Sequence, residues 1–510
     1  MTDAARVERG GLIVRATAVT VGLTVLGALL GLARDLLLAR IFGATSQTDA
    51  FLVAWTVPET ASPLLIEGAM AFLMVPIFVR ALAERGSLRP AVRATLPRIG
   101  LLLVLAGGLV VALAPVLVHV LAPGLAEPGL AVTCTRVTAL TVVAFGVAGY
   151  FGAGLRCAHR FGWAASIYVA YNVGILGGML LLHGRLGVLA AAIGIALGAL
   201  LMVAVQAPTF LRLVRRPAAD QAMMTRVALG AFIPIAVFTV TRQAQVWVER
   251  FLGSDLSAGT ISHLNYAQKV AQMPMMLSVL LATVTYPMLA RAVLAGDRSG
   301  SRERTDADLR AVSVVVLAAT AYLIAFAGPL IEIVFEHGAF TTQDTAATAS
   351  IMRVYSVGLI GQAVVAVISR TYYSDGRPGW FPAVAMGIGL AVTAAASVAL
   401  VPVWQAAGIA AGNALGIITA AVLLGHGLRR RIDLSLRSFG AELARLGAAA
   451  SGAGLVGWLV CRAMADLPAA LPATVGLLVV VVVFLLLGLL VRAREIQKLG
   501  RLLIGWCHAS

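Results

Sequence analysis

Several charged side chains interrupt the long apolar runs of this 510-residue sequence. A charged group within an apolar helix is costly unless it pairs with another group or faces water, so such residues mark binding or transport sites. Arginine and lysine would donate hydrogen bonds to a phosphate-type anion, while carboxylates would pair with them or accept hydrogen bonds from hydroxyl groups. The candidate binding residues are Arg34, Asp49, Glu67, Arg242, Glu249, Arg250 and Lys269.

Four other charged residues are candidates for gating or for an interface between lobes, namely Asp35, Glu59, Arg136 and Arg353. Each also has a purely structural explanation. Arg34 and Asp35 could form a pair that only anchors a helix end, and Glu59 could cap a helix beside a proline. Arg136 and Arg353 could extend their long side chains to the membrane surface. The sequence leaves both explanations open.

Local structure explains some of the binding candidates better than others. Asp49 begins an apolar run, where N-capping of a helix is a sufficient explanation. Glu67 lies deeper in the same run, between Ile66 and Gly68, and has no local cap to form. Lys269 lies within a later apolar run. We therefore favour a binding role for Glu67 and Lys269.

The composition places these residues in a membrane protein. Hydrophobic residues make up 60% of the chain and charged residues 12%, whereas a soluble protein carries roughly a quarter charged residues. The net charge of +16 comes mainly from arginines that lie between apolar runs and form no continuous basic stripe, so no nucleic-acid partner is expected. The four cysteines have no metal-ligand spacing, so we expect no metal site, disulfide or cofactor.

Apolar runs of about 20 residues, the length that crosses a bilayer, recur along the whole chain. The fourteen candidate spans are 16–33, 50–78, 99–121, 137–155, 162–182, 186–207, 227–248, 261–289, 311–335, 346–368, 380–403, 406–424, 446–460 and 471–491. The sequence therefore predicts an all-α polytopic membrane protein with about fourteen transmembrane helices.

Arginine and lysine concentrate in alternate connections between these spans. The most basic connections surround Arg89, Arg215, Arg302 and Arg430, and both termini are basic as well. Cytoplasmic loops of membrane proteins carry such an excess of positive charge. We therefore expect a multi-pass protein of the inner (plasma) membrane with both termini in the cytoplasm.

The second half of the sequence repeats features of the first half. The matched pairs, at offsets of 211 and then 217 residues, are Pro63 and Pro274, Pro76 and Pro287, Arg80 and Arg291, Arg136 and Arg353, and Trp163 and Trp380. Parallel repeats of six helices, with the substrate site between them, are typical of transporters. The pattern predicts six-helix lobes at 1–210 and 211–430, followed by two additional helices and a short cytoplasmic tail at 431–510.

Several segments resemble one family of transporters. The segments are GLARD at 31–35, ARIFGA at 39–44, TDAF at 48–51, EGA at 67–69, NYA at 265–267, FEHGAFT at 335–341 and YSVGLIG at 355–361. They resemble the MurJ (MviN) lipid II flippases of the multidrug/oligosaccharidyl-lipid/polysaccharide (MOP) exporter superfamily, and the resemblance covers nearly the whole chain.

This resemblance implies a fold, a substrate and site residues. The fold would have two six-helix lobes plus two C-terminal helices, with a cationic central cavity. The substrate would be lipid II, a peptidoglycan precursor whose polyprenyl tail stays in the bilayer, and cell-wall synthesis proteins are possible partners. Arg34, Asp49 and Glu67 match residues of the family pattern, which implies that they contact the substrate.

The chain also departs from the family pattern. Lys269 stands where the family usually has arginine, so the charge persists without the bidentate geometry. The family usually has a second arginine in place of Ala28, arginines near Ser62 and an acidic residue in place of Gln268. Some members bind sodium through acidic and amide groups, but the span at 380–403 contains no Asp, Glu or Asn. We therefore expect no sodium site there.

The leading hypothesis is a flippase that moves a polyprenyl-pyrophosphate-linked saccharide, with lipid II first among the candidates, from the cytoplasmic to the outer leaflet by alternating access. Arg34 and Lys269 belong to the first two helices of opposite repeats, so we expect both to face one cavity. An exporter of another lipid-linked glycan or small molecule is an alternative. A membrane-embedded glycan-processing enzyme is a remote one, because the sequence has neither metal-ligand spacing nor a nucleophile elbow. We expect a transporter rather than an enzyme.

Overall fold

The computed structural model describes residues 3–215, 229–275, 295, 297–373 and 379–498. Side-chain environments are described from residue 18 onwards, apart from positions 67, 69 and 229–232. Every regular element within these ranges is helical, which confirms the all-α class. The chain forms two compact units, Met1–Gly259 and Thr260–Ser510.

The first unit contains ten α-helices within the described ranges. They are α1 (Asp3–Phe42), α2 (Ser46–Ser62), α3 (Met70–Arg85), α4 (Arg89–Leu121), α5 (Pro128–Thr138), α6 (Leu140–Cys157), α7 (Phe161–Ala165), α8 (Ile167–Leu186), α9 (Leu189–Val214) and α10 (Leu229–Ser254). A π-helical segment, Pro63–Ala69, joins α2 to α3.

The second unit contains eight more α-helices within the described ranges. They are α11 (Thr260–Ala271), α12 (Arg298–Ala325), α13 (Ala327–Phe335), α14 (Thr342–Tyr373), α15 (Phe381–Trp404), α16 (Ala406–Ile432), α17 (Leu436–Ala463) and α18 (Ala470–Leu490). The last two helices pack against α12 around the buried ring of Phe326.

Twelve helical segments within the described ranges are long and apolar enough to cross a membrane. Two predicted spans are not among them. The span at 227–248 corresponds to α10, which carries Arg242, Glu249 and Arg250, and the span at 261–289 continues beyond the described residues. A protein with many membrane spans is therefore confirmed, while the count of fourteen stays a prediction.

The second span is interrupted where its prolines predict. Proline has no backbone N–H group, so it removes a hydrogen bond from a helix and widens or kinks it. Pro58 lies inside α2, and Pro63 begins the π-helical segment. Thr45 fixes the start of the span, because its hydroxyl accepts a hydrogen bond from the backbone N–H of Thr48 at 3.3 Å.

Glycines hold α8 tightly against α9. Gly174 faces Gly198 across the helix pair, and Gly178 faces Gly194. A Cβ atom at any of the four positions would overlap the backbone of the facing helix. Small residues spaced four apart allow this close approach in membrane helices. The packing fixes the position of α8, which carries a residue of the candidate site.

The turns that follow α8 and α15 share one backbone conformation. Gly187, between α8 and α9, has φ 54° and ψ −139°. Gln405, between α15 and α16, has φ 47° and ψ −127°. Each turn joins two helices that pack through glycines, and in the second pair Gly389 and Gly416 lie at the contact. The same helical hairpin therefore occurs in both units, about 218 residues apart.

The first compact unit extends beyond the first predicted lobe. Helix α10 packs against α2, the π-helical segment, α3 and α4, so the seventh predicted span belongs to the unit that ends at Gly259. The lobe boundaries at residues 210 and 430 come from internal repetition of the sequence, and they stay a prediction.

Candidate functional site

Arg34 and Asp35 form a largely buried ion pair on α1. The Nη2 atom of Arg34 lies 2.8 Å from Oδ1 of Asp35, and its Nε atom donates to the same oxygen at 2.9 Å. Each side chain is only 12% exposed. Because both side chains are largely removed from water, each charge depends on the other for compensation.

Two further side chains hold the guanidinium group of Arg34 in place. Its Cζ atom lies 4.5 Å from the centre of the Trp55 ring on α2, within the range of a cation–π interaction. Its Nη1 atom donates to Oδ1 of Asn172 on α8 at 3.3 Å. Helices α1, α2 and α8 therefore converge on one cation.

Asn172 is itself oriented by the backbone. Its side-chain amide donates to the carbonyl oxygens of Gly27 at 3.0 Å and Tyr168 at 2.9 Å. Both amide protons are used in this way, so the Oδ1 atom is left to face Arg34. Gly27 permits the arrangement because a Cβ atom there would overlap Tyr168.

The Arg34 site, defined as Arg34, Asp35, Trp55 and Asn172, is suited to binding an anion. Within the described part of the unit, Nε and Nη1 of the guanidinium donate to Asp35 and Asn172, and Nη2 lies 2.8 Å from Asp35. A phosphate group could accept hydrogen bonds from the remaining N–H groups and compete with Asp35 for the others. Low local polarity would strengthen every such contact.

A second polar contact secures the break in the second span. In a regular helix the carbonyl of Glu59 would accept a hydrogen bond from residue 63, but Pro63 has no N–H group. The side chain of Gln243 on α10 replaces that donor and lies 2.7 Å from the Glu59 oxygen. Next to it, the indole of Trp247 donates to the hydroxyl of Thr60 at 3.2 Å.

Asp49 has a structural partner at the end of the first unit. Its buried carboxylate accepts a hydrogen bond from the backbone N–H of Gly259 at 2.7 Å. Gly259 has φ +88°, a conformation that favours glycine. The N-cap of α2 is Thr45 rather than Asp49, which lies in the first turn. Asp49 therefore ties the turn after α10 to the start of the second span.

The other candidates lie on several helices. Arg242 is exposed on α10, whereas Glu249 and Arg250 are buried near the end of that helix, and Arg136 is exposed on α5. In the second unit, Lys269 is half-buried on α11 and Arg353 is exposed on α14. The side chain of Glu67 lies outside the described set. A shared cavity for Arg34 and Lys269 stays a prediction.

Sequence reasoning missed Asn172, Trp55 and Gln243 because it followed charge. Asn172 was detectable, since an amide inside an apolar span needs partners. The missing N–H of Pro63 also indicated that the Glu59 carbonyl needs a donor from elsewhere. The sequence contains no sign that the donor is Gln243, because that pairing depends on how α10 packs.

A comparison with known families decides the class of this protein. The family model described as "Lipid II flippase MurJ" matches residues 38–484. This chain belongs to the MurJ family. The match begins just after Arg34, so the evidence for a role of that residue comes from its contacts in the structure. A MurJ relative from Burkholderia cenocepacia, named a lipid II flippase, is 27% identical over 441 residues, covering 82% of this chain and 84% of the relative.

Solved structures agree on the fold. A structure described as "Lipid II flippase MurJ, inward closed conformation" superposes with a TM-score of 0.73 and 20% identity, covering 93% of this chain and 98% of the other. An inward-facing multidrug transporter of the MATE family, also from the MOP superfamily, gives a TM-score of 0.64 at 14% identity, over 82% of this chain and 98% of the other. The MurJ family and MOP fold predicted from sequence are confirmed.

Proposed function

We propose that this chain is a lipid II flippase, which moves a polyprenyl-pyrophosphate-linked saccharide across the inner membrane without changing its covalent structure. One observation carries the proposal: a largely buried arginine on α1 is held by a carboxylate, an amide and an indole from three helices. Membership of the MurJ family supports lipid II as the first substrate to test.

The Arg34 site gives the proposal a mechanism for holding pyrophosphate. Moving an anion through hydrocarbon requires a compensating cation. That cation in turn requires a counter-ion while no substrate is bound. Asp35 fills the second requirement when no substrate is bound. When pyrophosphate arrives, the guanidinium can exchange part of its bonding from Asp35 to the substrate, so neither charge is left unpaired.

Release follows from the same competition. Asp35 is a permanent neighbour of Arg34, so it limits how tightly the anion is held. The interrupted second span can bend, which is one way for a membrane helix to change the side from which a site is reached. A ligand drives such a change only through different affinity for the two states. We propose that contacts with Arg34 make the affinity for the substrate differ between the two states. Lys269 remains a second candidate cation.

The orientation in the membrane is part of the proposal. Basic connections around Arg89, Arg215, Arg302 and Arg430 support cytoplasmic termini, with translocation toward the outer leaflet. A cysteine introduced beside Arg89 should not react with an impermeant maleimide added to intact cells. Reaction there would reverse the topology.

Another lipid-linked glycan is the second candidate substrate. Departures from the family pattern favour this second candidate. Position 269 is lysine instead of the usual arginine, and uncharged residues stand where family members usually carry charge, at Ala28, Ser62 and Gln268. Polyprenyl-linked glycans other than lipid II, tested in the same vesicles, separate the two: faster transport of another glycan would reassign the substrate.

The proposal is tested by translocation of labelled lipid II in proteoliposomes. We expect transport by the wild-type chain, recovery of lipid II with unchanged mass, and loss of transport in Arg34→Ala. The matched control is Arg40→Ala, which removes an exposed arginine from the same helix and should transport normally. Altered lipid II mass, or equal transport by the two variants, would contradict the proposal.

We also propose that transport does not use a sodium site on α15, since that helix contains no Asp, Glu or Asn. Replacing sodium by choline on both sides of the vesicle should leave the rate unchanged. A rate that depends on sodium would require ligands elsewhere in the chain.

A further inference from the structure

A glutamine interrupts the apolar, buried face of α9. Met202 lies about one turn before Gln206 and Phe210 about one turn after it, and all three side chains are buried. The ring of Phe210 stacks on that of Phe151 of α6, with 4.3 Å between the ring centroids, and this contact holds α9 against α6. Gln206 therefore lies in the packed core of the first unit, where an apolar residue would be expected.

The side-chain amide of Gln206 has no hydrogen-bond partner within the described part of the chain. Its donor, Nε2, and its acceptor, Oε1, are both buried and both unsatisfied there. An amide that is removed from water without new partners destabilises the folded state. Methionine would fill a similar volume without this cost, so packing does not explain why the residue is glutamine. Unsatisfied buried groups of this kind point to a ligand or an ordered water.

Gly152 and Arg156 of α6 lie beside this amide. A Cβ atom at Gly152 would be 3.4 Å from Nε2 of Gln206 and 3.7 Å from Nη1 of Arg156. The amide and the guanidinium are therefore both close to one point, at which glycine places no side chain. We call Gly152, Arg156 and Gln206 together the Gln206 site.

The Gln206 site carries a positive charge and lies in a part of the chain without acidic residues. Arg156 is in the last turn of α6, where the helix dipole and a cytoplasmic connection are sufficient to explain a cation. They do not explain the buried amide beside it. The sequence has no Asp or Glu between residues 140 and 214. Arg156 is half-buried, so a ligand can reach its guanidinium.

We propose that the Gln206 site binds a phosphate group that retains a proton, either hydrogen phosphate or a phosphate monoester. Arg156 and Nε2 of Gln206 donate to the terminal oxygens of the phosphate, and its P–OH group donates to Oε1 of Gln206. This assignment uses both polar atoms of the amide, whereas a ligand with acceptors alone would use only Nε2. The ligand enters near the end of α9 at Arg215, on the side that we propose to be cytoplasmic.

The proposed ligand differs from the substrate proposed for the Arg34 site. The pyrophosphate of a lipid-linked saccharide is esterified at both ends and ionised near neutral pH, so it offers no proton to Oε1 of Gln206. A phosphate monoester keeps a proton more readily, because its second pKa is about 6. Two sources carry this chemistry, namely inorganic phosphate and a membrane lipid that ends in a phosphate monoester, such as phosphatidic acid.

The proton on the ligand is tested by isothermal titration calorimetry of the purified full chain in detergent. Sodium phosphate at neutral pH should bind, and sodium sulfate should bind at least roughly tenfold more weakly, because sulfate has no proton and would leave Oε1 of Gln206 unpaired. Sulfate that binds as tightly as phosphate would overturn the proposal.

Four variants test the residues. Gln206→Met and Arg156→Ala should each weaken phosphate binding roughly tenfold or more, since each removes a hydrogen bond to a charged ligand. Gly152→Ala should weaken it as well: its Cβ atom would be at ordinary contact distances, so the variant folds, but it occupies the point that both donors face. The matched control is Arg160→Ala, which removes an exposed arginine just after α6 and should bind like wild type.

Circular dichroism shows that each variant is folded before its affinity is compared. Equal phosphate affinity in wild type, Gln206→Met and Arg156→Ala would overturn the proposal, because the ligand would then be held elsewhere. Loss of affinity in Arg160→Ala to the same extent as in Arg156→Ala would also overturn it, since binding would then follow surface charge.

Native mass spectrometry with two lipids identifies the source of the phosphate. Phosphatidic acid that binds at least roughly tenfold more tightly than inorganic phosphate, and loses this advantage in Gln206→Met, assigns the site to a lipid headgroup. Inorganic phosphate that binds while phosphatidic acid does not assigns it to the free anion. Phosphatidylglycerol is a diester without a P–OH group and should bind weakly. Tight binding of phosphatidylglycerol that Gln206→Met leaves unchanged would overturn the proposal.

Discussion

The two units each place an arginine among apolar helices, but they surround it differently. In the first unit, Arg34 is 12% exposed and contacts a carboxylate, an amide and an indole. In the second unit, Arg353 is exposed and donates to one backbone carbonyl. The first arrangement stabilises a charge inside the protein, whereas the second leaves the charge exposed.

This difference shows that surroundings, and not residue type, separate the two kinds of site. Arg34 depends on Asp35, because either charge alone would be buried without compensation. Arg353 has no such dependence and can be removed at little cost to stability. Substitutions at the two arginines should therefore affect different properties of the protein.

The largest expected effect is on transport. Arg34→Ala should slow lipid II translocation by roughly 100-fold, since hydrogen bonds to a charged group contribute about 1.5–3 kcal/mol each. Arg353→Ala should keep translocation within about twofold of wild type, because one exposed rim charge contributes about 1 kcal/mol or less to its surroundings. Both rates are measured in proteoliposomes at equal protein content. A similar loss in the two variants would remove the distinction between the sites.

Asn172 tests whether the Arg34 site works by electrostatics or by packing. Asn172→Asp keeps the shape but adds a second carboxylate beside Arg34, so it should reduce transport by roughly tenfold or more, because the anion then competes with two carboxylates. Asn172→Leu removes the acceptor without adding charge and should have a smaller effect. If Asp is tolerated and Leu is not, packing determines the role of this position.

The contact between Gln243 and the Glu59 carbonyl should contribute to stability rather than to binding. Gln243→Leu removes this partly buried hydrogen bond, which should lower the free energy of unfolding by about 1–3 kcal/mol. Pro63→Ala restores a backbone N–H at the position where a helix would supply it. The double variant should therefore recover part of the loss, as measured by thermal melting in detergent. Strictly additive effects of the two changes would contradict the explanation.

The smallest effects are expected at the two matched turns. Gln405 adopts a conformation with φ 47° that glycine adopts without strain, and its counterpart is Gly187. Gln405→Gly should stabilise the chain by up to about 1 kcal/mol, and Gly187→Gln should destabilise it by about 1–3 kcal/mol. Thermal melting of both variants measures the difference. Destabilisation by Gln405→Gly would mean that the glutamine side chain compensates for the strain.

The helical membrane fold could be predicted from sequence because apolar runs of bilayer length have few alternatives. The break in the second span could be predicted as well, since Pro63 removes a hydrogen bond wherever it lies in a helix. The membership of α10 in the first unit could not be predicted from the sequence. An internal repeat indicates which segments share an ancestor, and it does not indicate which helices pack together.

The candidate site was predictable in part. Arg34 and Asp35 were identified because charge in an apolar span is unusual. Their partners Trp55 and Asn172 come from α2 and α8, and only the close packing of these helices brings them to Arg34. Asp49 is a binding candidate in the sequence, but in the structure its carboxylate accepts a hydrogen bond from the backbone of Gly259, a contact that no local pattern reveals.

Equilibrium binding shows whether Arg34 holds the pyrophosphate of the substrate. Lipid II binding to the purified chain is measured by native mass spectrometry for wild type, Arg34→Lys, Arg34→Ala and the control Arg40→Ala. We expect a Kd about 100-fold weaker for Arg34→Ala, an intermediate value for Arg34→Lys, and wild-type affinity for Arg40→Ala. Wild-type affinity in a folded Arg34→Ala variant would contradict it.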